Sequence, residues 1–307
     1  MEVAPRLFAV LGHQGDSNAG FVQGPRGAVV IDAMQNEALG RGILAAVRDA
    51  GCGPVRTLVN THHHGDHVFG NPAFPRDIDI VAHARCRAAM AEVLESAAVD
   101  PEAPLPERPI MELTFGRNLY DLVPEDDAVG RDFFRWRYDG GGLAGARLRL
   151  PNVTLDRECT FHLGGRRMIL RYLGPGHSET DLVAWFPDDG VVFVADLVFH
   201  GRFPWLGDSD VAGWIARLDD IVALAPRVVV PGHGAPVTAA EVTAFRDLLR
   251  ALRDVAQAAA RDGLDEATAI RRAHLPGYAK LPRYSEWMPI AVRKLVREAR
   301  EGEGGRP

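Results

Sequence analysis

The chain has 307 residues, enough for one large α/β domain with an insertion and too many for a minimal module. Hydrophobic residues at 47% and charged residues at 25% exclude a disordered or fibrous chain, and a net charge of −6 weighs against nucleic acid or an anionic membrane as partner. No run approaches the ~18 apolar residues of a membrane span. Leu7–Leu11 is too short for a signal-peptide core, and Cys52, Cys86 and Cys159 show neither disulfide pairing nor metal spacing, so the expectation is a cytoplasmic protein.

Short apolar runs at Leu7–Leu11, Gly20–Val22 and Ala28–Asp32 predict strands. Leu39, Ile43, Leu44 and Val47 share one face of a helix spanning about Asn36 to Ala50. Strands at Val55–Val59 and Ile78–Ala82 and a helix from Ala84 to Ala97 complete a first β-β-β-α-β-β-α series. Residues 100–152 differ: prolines at 101, 104, 106 and 109 open the segment, and an aromatic cluster (Phe115, Tyr120, Phe133, Phe134, Trp136, Tyr138) fills it. With too few periodic elements for a core of its own, it reads as an insertion lying over the domain.

Strand signals resume at Phe161–Leu163, Met168–Leu173, Leu182–Phe186, Val191–Ala195 and Val228–Val230, with a helix from about Val211 to Ala225. From residue 239 to about 301 the chain predicts a helical extension. Thr238 to Glu241 has capping-box spacing, and Val242, Phe245, Leu249, Leu252 and Val255 form an apolar stripe. Further helices are expected from about Asp265 and Ile290, and Glu301–Pro307 is expected to fray.

The strongest chemical signal is His62-x-His64-x-Asp66-His67. Residues two apart in extended backbone project to the same side, so His62 and His64 can meet one cation while His63 faces away. Asp66 and His67, past Gly65, can reach a second. Imidazole and carboxylate without thiolate is a ligand set for zinc or a similar divalent ion. Three more candidates follow apolar strands: His177 after Gly174-Pro175-Gly176, Asp196 after Val191–Ala195, and His233 after Pro231-Gly232. The carboxyl ends of strands in α/β sheets gather on one edge, where sites form.

These residues resemble those of the metallo-β-lactamase superfamily, and the similarity runs from about Leu7 to Pro236. The resemblance implies an α/β fold in a four-layer αββα sandwich, two mixed β-sheets flanked by helices, in a single domain over residues 1–307. It implies two Zn2+ ions, with Mn or Fe as alternatives. His62, His64 and His177 would hold the first ion, Asp66, His67 and His233 the second, and Asp196 would bridge them. Aspartate at 196 is similar to glyoxalase II, lactonases and thioesterases rather than true β-lactamases, which carry Cys or Ser there.

Segments around Asn60–Asn71, Arg149–Thr154 and Gly174–Trp185 look like second-ring cyclase/thioesterases of aromatic polyketide pathways. The implied chemistry is hydrolysis of a thioester, ester or lactone by a water acidified between two ions, with Asp66 orienting it as the catalytic residue. The implied partner is a small-molecule acyl substrate, free or carrier-protein-bound, with no nucleic acid and no membrane; the oligomeric state stays open. His200, Arg202, Phe203, Trp205, Tyr120, Phe134 and Trp136 are candidates for the substrate pocket, and Asp32 for orienting a ligand histidine. A single-iron persulfide dioxygenase, a nuclease and a true β-lactamase of the same fold remain the competing readings.

Overall fold

A computed structural model describes residues 1–13, 16–100 and 102–304. Seven strands form the first sheet in sequence order: β1 (Glu2–Ala4), β2 (Leu7–Val10), β3 (Ala19–Gly24), β4 (Gly27–Ile31), β5 (Val55–Val59), β6 (Asp79–His83) and β7 (Val153–Leu155). Pairing is antiparallel from β1 to β4 and parallel from β4 to β7. The second sheet has the order β12-β11-β10-β9-β8, from β8 (Glu158–His162), β9 (Arg167–Tyr172), β10 (Leu182–Phe186), β11 (Val191–Phe199) and β12 (Val228–His233). Only its β11–β12 pair is parallel. Both sheets are therefore mixed.

Alternation along the strands produces the layers. Val29 and Ile31 of β4 and Val59 of β5 face the second sheet and pack with Leu170, Phe186, Val191 and Phe193. Their neighbours Val30 and Leu58 face outward onto Ile43 and Val47 of helix α1 (Glu37–Asp49). On the far side, Val183, Val192 and Val194 pack under α7 (Val211–Ala223) and α8 (Ala239–Arg261). Helix–sheet–sheet–helix is the result. The α8 stripe buries Val242, Phe245, Leu249 and Leu252, and Glu241 accepts from the Thr238 amide at 2.8 Å, closing the predicted cap.

Along the chain, α2 (Gly65–Val68) follows β5, and α3 (Ala84–Ala97), α4 (Glu107–Phe115), α5 (Leu119–Leu122) and α6 (Ala128–Asp139) come between β6 and β7; α9 (Glu266–Arg272) and α10 (Tyr284–Gly304) follow α8. Residues 100–152 thus hold three helices. Their Ile110, Phe115, Leu119, Phe133 and Phe134 belong to the same core as α3, α8 and α10, so the segment borrows the domain's core. Pro101 lies outside the described residues.

Three expectations need correction. β7 was not anticipated, because a short edge strand with exposed Val153 and Thr154 carries no apolar alternation. α10 begins at Tyr284, on the N-terminal side of Pro289, where burial of Trp287 and Met288 holds a turn that proline disfavours. The same helix continues through Gly304 instead of fraying from Glu301, and residues 305–307 lie outside the described part.

Candidate metal centre

The seven histidine and aspartate side chains singled out above meet on one edge of the sandwich, all buried. His62, His64, His177 and Asp196 offer ligand atoms within 4.8 Å of one another, and so do Asp66, His67 and His233. His177 Nε2 lies 2.9 Å from His64 Nδ1 and 3.5 Å from Asp196 Oδ2. His233 Nε2 lies 3.4 Å from Asp66 Oδ2 and 3.3 Å from Asp196 Oδ2, which places Asp196 between the two groups. Asp66 and His67 sit in the single turn of α2.

Backbone geometry aims Asp196. It lies inside β11 rather than after it, at a register irregularity with β12, and Ala195 before it is left-handed at φ 45°. Such bulges re-aim side chains near sites, and a non-glycine residue there costs on the order of 1–3 kcal/mol. Gly232 on β12 makes the room: a Cβ there would sit 1.8 Å from Asp196 Oδ1.

Hydrogen bonds fix which nitrogen each imidazole presents. Asp32 Oδ2 lies 2.8 Å from His67 Nδ1 and accepts from the Thr61 hydroxyl at 2.8 Å. A carboxylate only accepts, so His67 carries its proton on Nδ1 and turns Nε2 inward. Since the Thr61 hydroxyl donates to Asp32, it accepts from His62 Nδ1 at 3.1 Å, turning His62 Nε2 inward as well. One carboxylate thereby orients two histidines, from a left-handed backbone at φ 60°. His233 Nδ1 lies 3.2 Å from both the Asp16 carbonyl and the Arg202 guanidinium, with Nε2 turned to Asp66 and Asp196.

Asp208 was missed from sequence. Its Oδ2 lies 3.2 Å from His64 Nε2 and 3.6 Å from His63 Nε2, assigning the His64 proton to Nε2 and leaving Nδ1 for the cluster. His63, off the cluster as expected, also pairs with Thr180 at 3.1 Å. Gly116, which ends α4 with φ 98°, leaves space for this carboxylate, since a Cβ there would meet Asp208 Oδ1 at 2.3 Å. Only the unusual spacing of acidic residues in Gly207-Asp208-Ser209-Asp210 hints at Asp208 in the sequence.

The donor set fits divalent cations. His62 Nε2, His67 Nε2 and Asp196 Oδ1, which face the cluster, are buried without hydrogen-bond partners. His67 Nε2 and Asp196 Oδ1 approach to 3.0 Å without hydrogen-bond geometry. Buried polar atoms left so are costly unless something binds them. Burial pushes His177 down to about 3 and His62 well below its ordinary value, keeping both neutral. Burial opposes protonation of His67 too, but Asp196 and Asp32 outweigh it and raise that imidazole well above its usual range. Asp196 itself is held well below the ordinary carboxylate value despite burial, by His233 and His67. The carboxylates create a demand for positive charge that two metal ions would meet.

Above the cluster lies a cavity of about 40 Å³, walled by Phe115, Phe133, Trp136, Phe199, Trp205 and Trp287, with Arg137, Arg202 and Arg283 among them. That is room for a few waters. Of the pocket candidates, Arg202, Trp205 and Trp136 line it. The other four need correction. Tyr120 and Phe134 line a separate cavity of about 390 Å³ among α4, α5 and α6, because α6 directs Phe134 back onto Phe115 and Trp205. His200 turns to the Ala235 carbonyl at 3.0 Å, and Phe203 is fully buried against Tyr284. Burial lowers Arg202 to about 10.

The family model described as the metallo-beta-lactamase superfamily matches residues 13–233, more than two thirds of the chain. A linear primary-alkylsulfatase from Pseudomonas sp. (strain ATCC 19151) is 23% identical over 240 residues, covering 76% of this chain and 44% of that protein. A metallo-beta-lactamase type 2 from Bacteroides fragilis is 33% identical over 92 residues, 28% of this chain and 37% of that one. The stereoselective inverting sec-alkylsulfatase Pisa1 from Pseudomonas sp. superposes with a TM-score of 0.66 at 16% identity, covering all of this chain and 51% of that one. The chain thus spans less than half the length of these two curated relatives.

Proposed function

The chain belongs to the metallo-β-lactamase superfamily, whose members are generally hydrolases, and from that premise we propose a metal-dependent hydrolase that cleaves an acyl bond with two zinc ions held by His62, His64, Asp66, His67, His177, Asp196 and His233. The observation that carries the reading is the set of buried, unpartnered imidazole and carboxylate atoms converging at the floor of one pocket. When bound, the ions would supply Lewis acidity and bring the pKa of a coordinated water into the neutral range. The chain's own groups do the rest. Asp32 and Asp208 hold His67, His62 and His64 in their ligating tautomers. Asp66 has one carboxylate oxygen facing His233 and borders the pocket, where it can orient a water and take its proton. The aromatic walls exclude bulk water.

A thioester of an aromatic polyketide, free or carrier-bound in the cytoplasm, is the narrower form of this proposal, supported by the aromatic lining and the sequence segments quoted above. Sulfate-ester cleavage is a second reading, favoured by the alkylsulfatase relatives and the arginines of the pocket wall. A panel of aryl thioester, lactone, β-lactam and aryl sulfate, each with and without chelator, tests both. Chelator-sensitive thioester or lactone turnover supports the first, sulfatase turnover the second. Turnover insensitive to chelation contradicts both.

A further inference from the structure

Lys280 and Lys294 are the only lysines of this arginine-rich chain, and Lys294, on α10, is buried. A buried ammonium is costly unless its N–H groups are satisfied. Lys294 Nζ donates to the Ser209 carbonyl at 2.7 Å and pairs with Glu298 one turn along its own helix. Ser209 is therefore the contact that Lys294 makes with a distant segment.

That segment serves the metal centre on both sides of Ser209. Asp208 Oδ2 lies 3.2 Å from His64 Nε2, and the Asp210 amide donates to the Gly176 carbonyl at 2.9 Å, in the turn before His177. His64 and His177 belong to the same ligand group. The loop is tied down elsewhere too. Trp205 Nε1 donates to the Phe115 carbonyl at 3.0 Å, Asn118 Nδ2 to the Gly207 carbonyl at 3.3 Å, and the Ser209 hydroxyl to the Leu206 carbonyl at 2.8 Å. Lys294 supplies the donor for the buried Ser209 carbonyl, at the point between Asp208 and Asp210. An ionised donor is the stronger kind, and its loss would leave that acceptor buried and unpaired.

The anchor itself is braced. Arg293 donates to the Leu122 carbonyl, Arg297 holds Glu266 through two contacts at 2.7 and 2.9 Å, and Trp287 packs on Trp205 with ring centres 5.5 Å apart. We propose that Lys294 is a positioning residue for the metal centre. From α10 it holds the Ser209 carbonyl, which sets Asp208 against His64 and the Asp210 amide against the turn of His177. The helical extension after residue 239 then helps to shape the site of the first ion. The readout rests on the metal reading above; the contact with the loop does not.

The test is a zinc titration of the metal-depleted full chain against a chromophoric chelator. Lys294→Met, which keeps volume without the donor, should weaken zinc binding roughly 5–10-fold. In an Asp208→Ala background it should add no further loss, because both act through one contact. Arg297→Met, which breaks an ion pair of the same helix away from the loop, should lower the melting temperature and leave affinity unchanged. If Lys294→Met fails to fold, Lys294→Gln, whose head is too short to reach the carbonyl, replaces it with the same expectation. Parental affinity in the lysine variant, or an equal loss with Asp208 already removed, would overturn the proposal and leave Lys294 a bracing role. If the parent binds no zinc, the metal reading fails by itself. Hydrogen exchange of the metal-free proteins then decides: amides of residues 205–210 exchanging about 10-fold faster in Lys294→Met than in Arg297→Met support the positioning role, and equal exchange overturns it.

Discussion

The floor and the roof of the pocket are built on different principles. The floor is imidazole and carboxylate, fixed at strand ends and at the turn of α2, with Asp32 orienting His67 and, through Thr61, His62. The roof is arginine and aromatic, contributed by α6, the Trp205 loop and α10, and one of its rings, Trp136, is half exposed. The floor offers ligand atoms that could hold cations, and the roof carries arginines among its rings. The candidate ligands thus belong to the sheet edge and α2, whereas the pocket walls come from helices and loops packed over it.

Asp208 links the two, because it touches His64 on the floor and sits in space left by Gly116 of the roof. The sharpest way to break the contrast is at the floor: His64→Ala should reduce kcat/KM by roughly 10³-fold or more, as loss of a metal ligand disables the water it helps acidify. A steady-state assay with metal resupplied checks this, and activity within 10-fold of the parent would refute it. Asp208→Asn should weaken metal affinity roughly 10–100-fold, read by competition with a chromophoric chelator. Affinity unchanged in that titration would confine Asp208 to packing the roof.

A smaller effect concerns the loop of His177. Burial pushes Asp181 up to about 7, against the two hydrogen bonds it accepts from Ser178. Its proton is held more tightly in the folded chain than in the unfolded one. Stability therefore falls as pH rises from its ordinary 3.8 toward about 7, and this contribution is flat above. Asp181→Asn should remove that slope, so its melting temperature gains on the parent by on the order of 5 °C across the window. Parallel melting curves would contradict the account.

The same contrast explains what was legible in the sequence. The ligand histidines stand out because a strand with period two runs directly into His62–His67, and because Pro-Gly turns precede His177 and His233. Asp32 is legible as a strand-end residue, although its link through Thr61 to His62 needs coordinates. The roof carries no such signal. Arg137, Arg283 and Trp287 look like solvated or core residues of ordinary helices, and their meeting depends on the packing of α6 against α10 across about 150 residues of chain. The error with Tyr120 and Phe134 has the same origin: an aromatic cluster in the sequence does not say which helix face reaches the metals.

The central claim is that this cluster cages a pair of divalent cations. Plasma emission analysis of the purified, zinc-equilibrated and desalted protein tests it most directly. The account predicts two equivalents per chain, falling to one or fewer in Asp196→Ala. Substantially less than two equivalents in the parent protein, or a stoichiometry that Asp196→Ala leaves unchanged, would contradict it.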